Sequence, residues 1–207
     1  MSDHIHRFIP GATPNARVLL LLHGTGGDEN DLLPLGRELD ADAALLSVRG
    51  NVLENGMPRF FRRFAEGVFD EEDVVRRANE LADFVTAAAA EYEFHPADVT
   101  ALGYSNGANI AAAMLFLRPE VLSRAILLRA MVPLSQPPAA DLTGKNVLIN
   151  AGRFDPIIPL ANAQQLAALL EERGATVSLR VQEASHGLTP ADLQLAKRWL
   201  AGAVAAQ

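Results

Sequence analysis

One serine of this chain stands in a sequence pattern that can turn a hydroxyl group into a nucleophile. Ser105 lies in the segment GYSNG at residues 103–107, between a predicted strand, Val99–Gly103, and a predicted helix, Asn106–Leu117. This G-x-S-x-G pattern places the serine on a sharp strand-to-helix turn, at the positive end of the helix. The flanking glycines avoid clashes that a Cβ atom would cause there. We therefore predict Ser105 as the nucleophile of an acyl-transfer reaction; the alternative is a tight turn with an incidental serine.

A serine nucleophile needs a base, and His186 is the histidine best placed to supply one. It follows the predicted strand Val177–Val181 and precedes the last predicted helix, so it should lie at the carboxyl end of a strand. The alternative for a single histidine is a surface or capping position. The other histidines lack this context and are read as structural: His4, His6 and His95.

The base in turn needs an acid that fixes its tautomer, and we predict Asp155 in this role. Asp155 directly follows the predicted strand Val147–Ala151. Asp141 precedes that strand and should lie at the wrong end of the sheet, whereas Glu183 is close to His186 and stays a weaker alternative. A turn residue before proline is the non-catalytic reading of Asp155. The order Ser, Asp, His is typical of α/β-hydrolases.

A glycine-rich segment could supply donors to a developing oxyanion. The predicted strand Val18–Leu22 ends in HGTGGD at residues 23–28, where glycines let the backbone approach a substrate oxygen. We predict the backbone amides of Thr25 and Asn106 as the two donors, and His23 as a support for the loop. A phosphate-binding loop is the rival reading, but the Lys-Ser/Thr pair of such loops is missing.

Short apolar runs and longer amphipathic segments alternate along the chain. This alternation predicts an α/β fold: a mostly parallel central sheet covered by helices on both faces, forming one domain over residues 1–207. Ligands bind such sheets at the carboxyl ends of the strands, where the residues above are expected. Further strands are predicted at Ala44–Val48 and Ala125–Leu128, and further helices at Glu72–Tyr92, at Leu160–Arg173 and from Thr189 through Trp199.

Composition excludes several classes of function. The 207 residues carry 18 Lys+Arg against 25 Asp+Glu, a formal charge of −7, which argues against nucleic acid as a partner. No cysteine is present, which excludes thiolate metal sites and cysteine nucleophiles. The N-terminus lacks a basic segment followed by an apolar run, and the longest apolar run, Val18–Leu22, is far too short to span a membrane. We expect a cytoplasmic protein without stable membrane insertion.

Four segments stand in one order between about Val18 and Trp199: LLLHGTGGDENDLLPL, GYSNGANIA, GRFDPIIP and SHGL. Together they resemble the phospholipase/carboxylesterase family of small α/β-hydrolases, which also contains the acyl-protein thioesterases. The resemblance implies Ser105, Asp155 and His186 as a catalytic triad and Thr25 and Asn106 as oxyanion donors. It also implies no cofactor and frequent dimerisation. We expect no metal, because the sequence lacks an H-E-x-x-H or comparable ligand cluster.

The segment MPRFFRRF at residues 57–64 has two readings. Members of the family carry an aromatic residue near here, a tryptophan in the thioesterase branch, so Phe60 and Phe61 could line an acyl pocket. Arg59 could meet an anionic group of the substrate. The alternative is a hydrophobic loop anchor with solvated arginines. The thioesterase branch also has glutamine where this chain has Asn106, and no long insertion is available for a lid, so the chain resembles the bacterial carboxylesterase branch more closely.

We therefore expect a serine carboxylesterase that hydrolyses small or medium-chain esters through an acyl-enzyme on Ser105. One alternative is a lysophospholipase or acyl thioesterase that uses the same triad. An alternative of another class is a hydrolase-fold protein that binds a small molecule with little turnover. A homodimer is possible, with the segment from Arg124 to Leu134 as a contact surface if its last four residues are partly exposed.

Overall fold

A seven-stranded sheet forms the centre of the protein in a computed structural model that describes residues 4–202. Six parallel strands and one antiparallel edge strand, β1, lie in the order β1-β3-β2-β8-β9-β10-β11. The strands of this sheet are β1 His6–Ile9, β2 Val18–Leu22, β3 Ala44–Val48, β8 Val99–Tyr104, β9 Arg124–Leu128, β10 Asn146–Gly152 and β11 Thr176–Gln182. All six predicted parallel strands are thus confirmed.

Five α-helices cover the two faces of the sheet within the described residues. They are α1 Leu33–Leu39, α2 Glu71–Glu91, α3 Asn106–Leu117, α4 Leu160–Glu171 and α5 Pro190–Leu200. Strand β2 shows how both faces are filled, because all five of its residues are buried. Val18, Leu20 and Leu22 belong to the core that also contains residues of α2, α3 and α4, whereas Leu19 and Leu21 belong to the core on the other face, with residues of α1 and α5. Alternate residues of a strand face opposite sides of the sheet, which explains why the run is apolar throughout.

Two short hairpins connect β3 to α2. They pair β4 Val52–Glu54 with β5 Met57–Arg59, and β6 Arg63–Ala65 with β7 Val68–Phe69. The C-terminal ends of the parallel strands form the carboxyl edge of the sheet. Within residues 4–202 no loop between elements forms a helical lid over this edge.

The segment proposed as a contact surface between copies is mostly buried. Met131 and Leu134 are buried, at 9% and 4% exposed, and Pro133 is buried too, so of the last four residues only Val132 is partly exposed. The segment turns inward because Met131 N donates to the side chain of Asn109 in α3 at 2.7 Å. No helix among residues 4–202 is long and apolar enough to cross a membrane.

Candidate active site

Ser105 occupies a strained turn between β8 and α3. Its φ of +52° lies in the left-handed region that L-residues rarely adopt. Two close approaches explain why glycines flank it. A Cβ on Gly103 would lie 2.5 Å from the Gly107 carbonyl oxygen, and one on Gly107 would lie 1.9 Å from the Leu22 carbonyl oxygen. The turn is fixed on the sheet because Ser105 N donates to the Leu128 carbonyl oxygen at 2.9 Å.

The structure brings the three predicted triad residues together in one hydrogen-bonded line. His186 Nε2 lies 3.0 Å from Ser105 Oγ, and His186 Nδ1 lies 2.8 Å from Asp155 Oδ2. Asp155 is aimed by two backbone amides, since its Oδ1 accepts from Ile157 N at 2.9 Å and from Ile158 N at 3.0 Å. A carboxylate beside Nδ1 favours the tautomer in which Nδ1 carries the proton, so Nε2 is free to accept the serine proton.

The two competing acids lie elsewhere. Glu183 has a side chain that is 67% exposed and pairs with Arg153. Asp141 accepts from the backbone amide of Thr143, before β10, and so lies at the opposite end of that strand from Asp155. Of the three acids considered, Asp155 alone hydrogen-bonds His186.

The predicted oxyanion loop is supported by His23, which is 1% exposed. Its Nδ1 donates to the Gly24 carbonyl oxygen at 2.6 Å, and its Nε2 accepts from Gly50 N at 3.0 Å. Burial lowers the pKa of His23 from its ordinary value, which favours the neutral ring that can donate and accept at once. The loop is also held from the hairpin side, because Gly26 N donates to the Pro58 carbonyl oxygen at 2.9 Å.

Arg59 does not face solvent or an open pocket, contrary to both readings of residues 57–64. Its side chain is 3% exposed, and Nη1 donates to Glu54 Oε2 and to Thr25 Oγ1, each at 3.0 Å. Nε donates to the Phe61 carbonyl oxygen at 3.2 Å. The guanidinium therefore bonds to the hairpin and to the predicted oxyanion residue and contacts the loop from inside the protein.

Phe60 and Phe61 belong to the core, at 3% and 0% exposed, and do not line an open acyl pocket. The ring of Phe60 lies 4.8 Å from that of His23, and its amide donates to Asn106 Oδ1 at 2.7 Å. Phe60 thus holds the end of the first hairpin against α3 and the oxyanion loop, whereas the ring of Phe61 packs on that of Phe69 at 5.0 Å. The apolar run at this position is an anchor, which was the alternative reading.

A cavity of about 360 Å³ opens beside the predicted oxyanion loop. Its walls include the loop itself, Leu32, Tyr104 and Leu188. Tyr104 precedes Ser105, and its hydroxyl donates to the His186 carbonyl oxygen at 3.2 Å. Tyr104 and Leu188 were not predicted from the sequence as cavity residues. Their positions in the chain, next to the nucleophile and two residues after the base, could have indicated them. Within residues 4–202 no cluster of three or more His, Asp or Glu side chains is arranged to hold a metal ion.

Comparison with known proteins decides the family. Residues 4–203 match the model of the phospholipase/carboxylesterase family.

The chain belongs to this family of ester hydrolases.

The Bacillus subtilis (strain 168) protein MhqD is 49% identical over 199 residues, 96% of this chain and 98% of MhqD. The crystal structure of a Bacillus cereus carboxylesterase superposes with a TM-score of 0.95 at 49% identity, covering 98% of this chain and 96% of that one. A Mesorhizobium loti carboxylesterase gives a TM-score of 0.91 at 32% identity, with coverage of 98% and 97%. These likenesses confirm the α/β-hydrolase fold and the family resemblance.

Proposed function

We propose that the protein is a serine carboxylesterase in which Ser105, His186 and Asp155 act as a catalytic triad. His186 takes the proton of Ser105 as the serine oxygen attacks the ester carbonyl, and it then gives that proton to the departing alcohol. Water, deprotonated by His186, then attacks the acyl-enzyme carbonyl, and His186 returns that proton to Ser105 Oγ as the bond between Oγ and the acyl group breaks and the acid leaves. Asp155 holds the ring and stabilises the imidazolium in both steps.

The observation that carries the proposal is the hydrogen-bonded line from Ser105 Oγ through His186 to Asp155, at 3.0 and 2.8 Å. A hydroxyl within reach of an unprotonated imidazole nitrogen is the arrangement that activates a serine. Its strained turn at the start of α3 directs the hydroxyl away from the sheet, as in other nucleophile elbows.

The oxyanion is assigned to the backbone amides of Thr25 and Asn106. The amide of Asn106 is the first of α3, so it has no partner within the helix and adds to the positive end of its dipole. Thr25 lies in a loop whose position is set by His23, Pro58 and Arg59. Donors that are held in place before the reaction stabilise the developing charge without a reorganisation cost.

The space beside the oxyanion loop supports an assignment of substrate size. A cavity of about 360 Å³ lined by Tyr104 and Leu188 admits a short or medium acyl or alcohol group. No helical lid within residues 4–202 extends this space into a tunnel. We therefore assign small and medium-chain carboxylic esters as the substrate class.

One observation favours a second candidate, hydrolysis of longer acyl esters or thioesters. Three exposed apolar side chains surround the site: Met57, which lies beside Gly26, Phe154, which precedes Asp155, and Leu188. They are 41%, 63% and 37% exposed. A longer chain would lie across these side chains, of which Leu188 also forms a wall of the cavity.

A panel of substrates tests these assignments. Purified protein and its Ser105→Ala variant are assayed with p-nitrophenyl esters from acetate to palmitate, with acyl thioesters of matched length and with a lysophospholipid. We expect the highest kcat/KM with short or medium esters and loss of turnover in the variant. A maximum at palmitate, or with thioesters or the lysophospholipid, would select the second candidate. Tight binding of an ester by the folded wild type with no turnover of any substrate would indicate a binding protein.

A further inference from the structure

Arg129 is the largest fully buried side chain among the described residues, and it lies directly behind the predicted base. We propose that Arg129 is a positioning residue that holds the loop of His186 from both sides. This inference rests on the proposed function of His186, and it concerns a residue that never touches the reacting atoms.

Arg129 binds the two backbone carbonyl groups that flank His186 in the chain. Its Nε donates to the Ser185 carbonyl oxygen at 2.9 Å, and its Nη2 donates to the Gly187 carbonyl oxygen at 3.0 Å. A planar guanidinium with five fixed donors can hold both at once, which a lysine ammonium cannot do with the same geometry. The position of the histidine loop therefore depends on an arginine at residue 129.

Arg129 is itself held by a buried ion pair. Its Nη1 and Nη2 donate to Asp192 Oδ1 and Oδ2 at 3.0 and 2.9 Å, a bidentate pair between side chains that are 0% and 2% exposed. Asp192 also accepts from the Thr189 amide, in a capping box that starts α5, and from Asn150 Nδ2 of β10 at 2.8 Å. Arg129 and Asp192 together therefore link the histidine loop to strand β10 and helix α5.

The same strand end links the base to the nucleophile. Arg129 directly follows Leu128, whose carbonyl oxygen accepts from Ser105 N at 2.9 Å. Two consecutive residues at the end of β9 thus hold the backbone of the nucleophile and the loop of the base.

The backbone of Arg129 itself is strained, with a φ of +56°. Strained residues and buried ion pairs both cost free energy, and strain of this kind concentrates at functional sites. The burial of Arg129 and the free energy that its strained backbone and ion pair cost are both explained if residues 128–129 set the distance between Ser105 and His186.

The experiment compares Arg129→Lys with Arg173→Lys, a matched control. Arg173 also donates to backbone carbonyls, those of Pro137, Pro138 and Leu169, but in a different part of the molecule from the triad. The Arg129→Lys variant keeps a buried positive charge opposite Asp192, so the chain should still fold. We expect kcat on a p-nitrophenyl ester to fall by about 10²-fold in Arg129→Lys with KM changed little, because catalysis depends on sub-ångström placement of the base. Arg173→Lys should retain the wild-type kcat.

A second readout does not depend on turnover. The proton shared by His186 Nδ1 and Asp155 should give a strongly downfield proton NMR resonance in the wild type and in Arg173→Lys. In Arg129→Lys this resonance should broaden or disappear while the rest of the spectrum stays that of a folded protein.

Three possible results distinguish a failure of the positioning role of Arg129 from a failure of the proposed esterase function. Wild-type kcat together with an unchanged resonance in Arg129→Lys would overturn the positioning role while leaving the esterase proposal intact. A thermal destabilisation of Arg129→Lys without either change would reduce Arg129 to a structural residue and overturn it as well. If the wild type turns over no ester, the proposed function fails, and loss of the resonance in Arg129→Lys alone would still support the positioning of His186.

Discussion

The guanidinium of Arg59 donates to the hydroxyl of Thr25 at 3.0 Å from a side chain that is almost fully buried. An arginine that sequence reasoning assigned to the substrate therefore acts on the loop whose amide is proposed to hold the oxyanion. Arg63, in the second hairpin, also pairs with Glu54 at 3.0 Å, but among residues 4–202 its side chain makes no hydrogen bond to Thr25.

Arg59→Met and Arg63→Met form a matched pair that tests this contact. Loss of an oxyanion donor costs about 10²- to 10³-fold in kcat, and we expect a smaller drop, about 10-fold or more, when the donor is only displaced. Arg63→Met should keep kcat near the wild-type value, because it leaves the Thr25 contact intact. Steady-state kinetics on a short p-nitrophenyl ester measures kcat for both variants. Equal kcat values in the two folded variants would contradict the role of Arg59 in holding Thr25.

Asp155→Asn should lower kcat by about 10⁴-fold, with the fold retained. The amide oxygen can still accept from Ile157 N and Ile158 N, but an amide NH₂ facing His186 Nδ1 favours the wrong tautomer of the ring. Glu183→Gln is the control, because Glu183 lies on the surface against Arg153. A comparable loss of kcat in Glu183→Gln, with Asp155→Asn active, would instead make Glu183 the acid.

His23 should make the stability of the protein depend on pH. Burial lowers its pKa in the folded state, so below the ordinary histidine value of about 6.5 the unfolded chain binds more protons than the folded one. The free energy of unfolding should therefore be highest above about pH 6.5 and should decrease as the pH falls from there toward the lowered pKa.

In His23→Gln this contribution should be missing. The amide oxygen of glutamine can still accept from Gly50 N, the bond that His23 Nε2 makes. Urea unfolding between about pH 7.5 and about pH 5.5 measures the slope for both proteins. Identical slopes in the wild type and the variant would show that His23 does not contribute to the pH dependence.

Gly107→Ala should prevent folding or lower the free energy of unfolding by more than about 4 kcal/mol. The new Cβ would meet the Leu22 carbonyl oxygen at 1.9 Å, which is backbone of the buried strand β2 and not the end of a flexible side chain. Gly187→Ala is the matched control, since nothing lies within 4 Å of the position its new methyl group would take, and it should change stability by less than about 1 kcal/mol. Urea denaturation compares the two, and a well-folded Gly107→Ala would refute the close approach.

Much of the fold could be predicted because its strong signals are local. The parallel strands are short continuous apolar runs such as Val18–Leu22, as expected in a sheet that is covered on both faces. Strand β1 escaped prediction because it has four residues at an edge, and α1 because its first turn lacks a capping side chain. Both are held by tertiary pairing more than by their own sequence pattern.

The residues of the site likewise divide into those that local sequence signals predict and those that only the tertiary structure reveals. Ser105, Asp155 and His186 each follow a strand within a recognisable short segment, so their meeting could be predicted from topology alone. The partners of Arg59 and Arg129 could not, because no local pattern tells a buried arginine from a solvated one. Asp192 shows the limit: its capping role at α5 is local, whereas its pairing with Arg129 spans 63 positions. The homodimer stays a prediction.

Ser105 is proposed to carry the acyl group, and intact-mass analysis of a covalent adduct tests this most directly. Wild type, Ser105→Ala and a second serine variant, Ser135→Ala, are incubated with an alkyl fluorophosphonate and then digested for peptide mapping. We predict one adduct per chain on Ser105 in the wild type and in Ser135→Ala, together with loss of esterase activity on labelling, and no adduct in Ser105→Ala. Labelling of another residue, or full ester turnover by Ser105→Ala, would contradict Ser105 as the nucleophile.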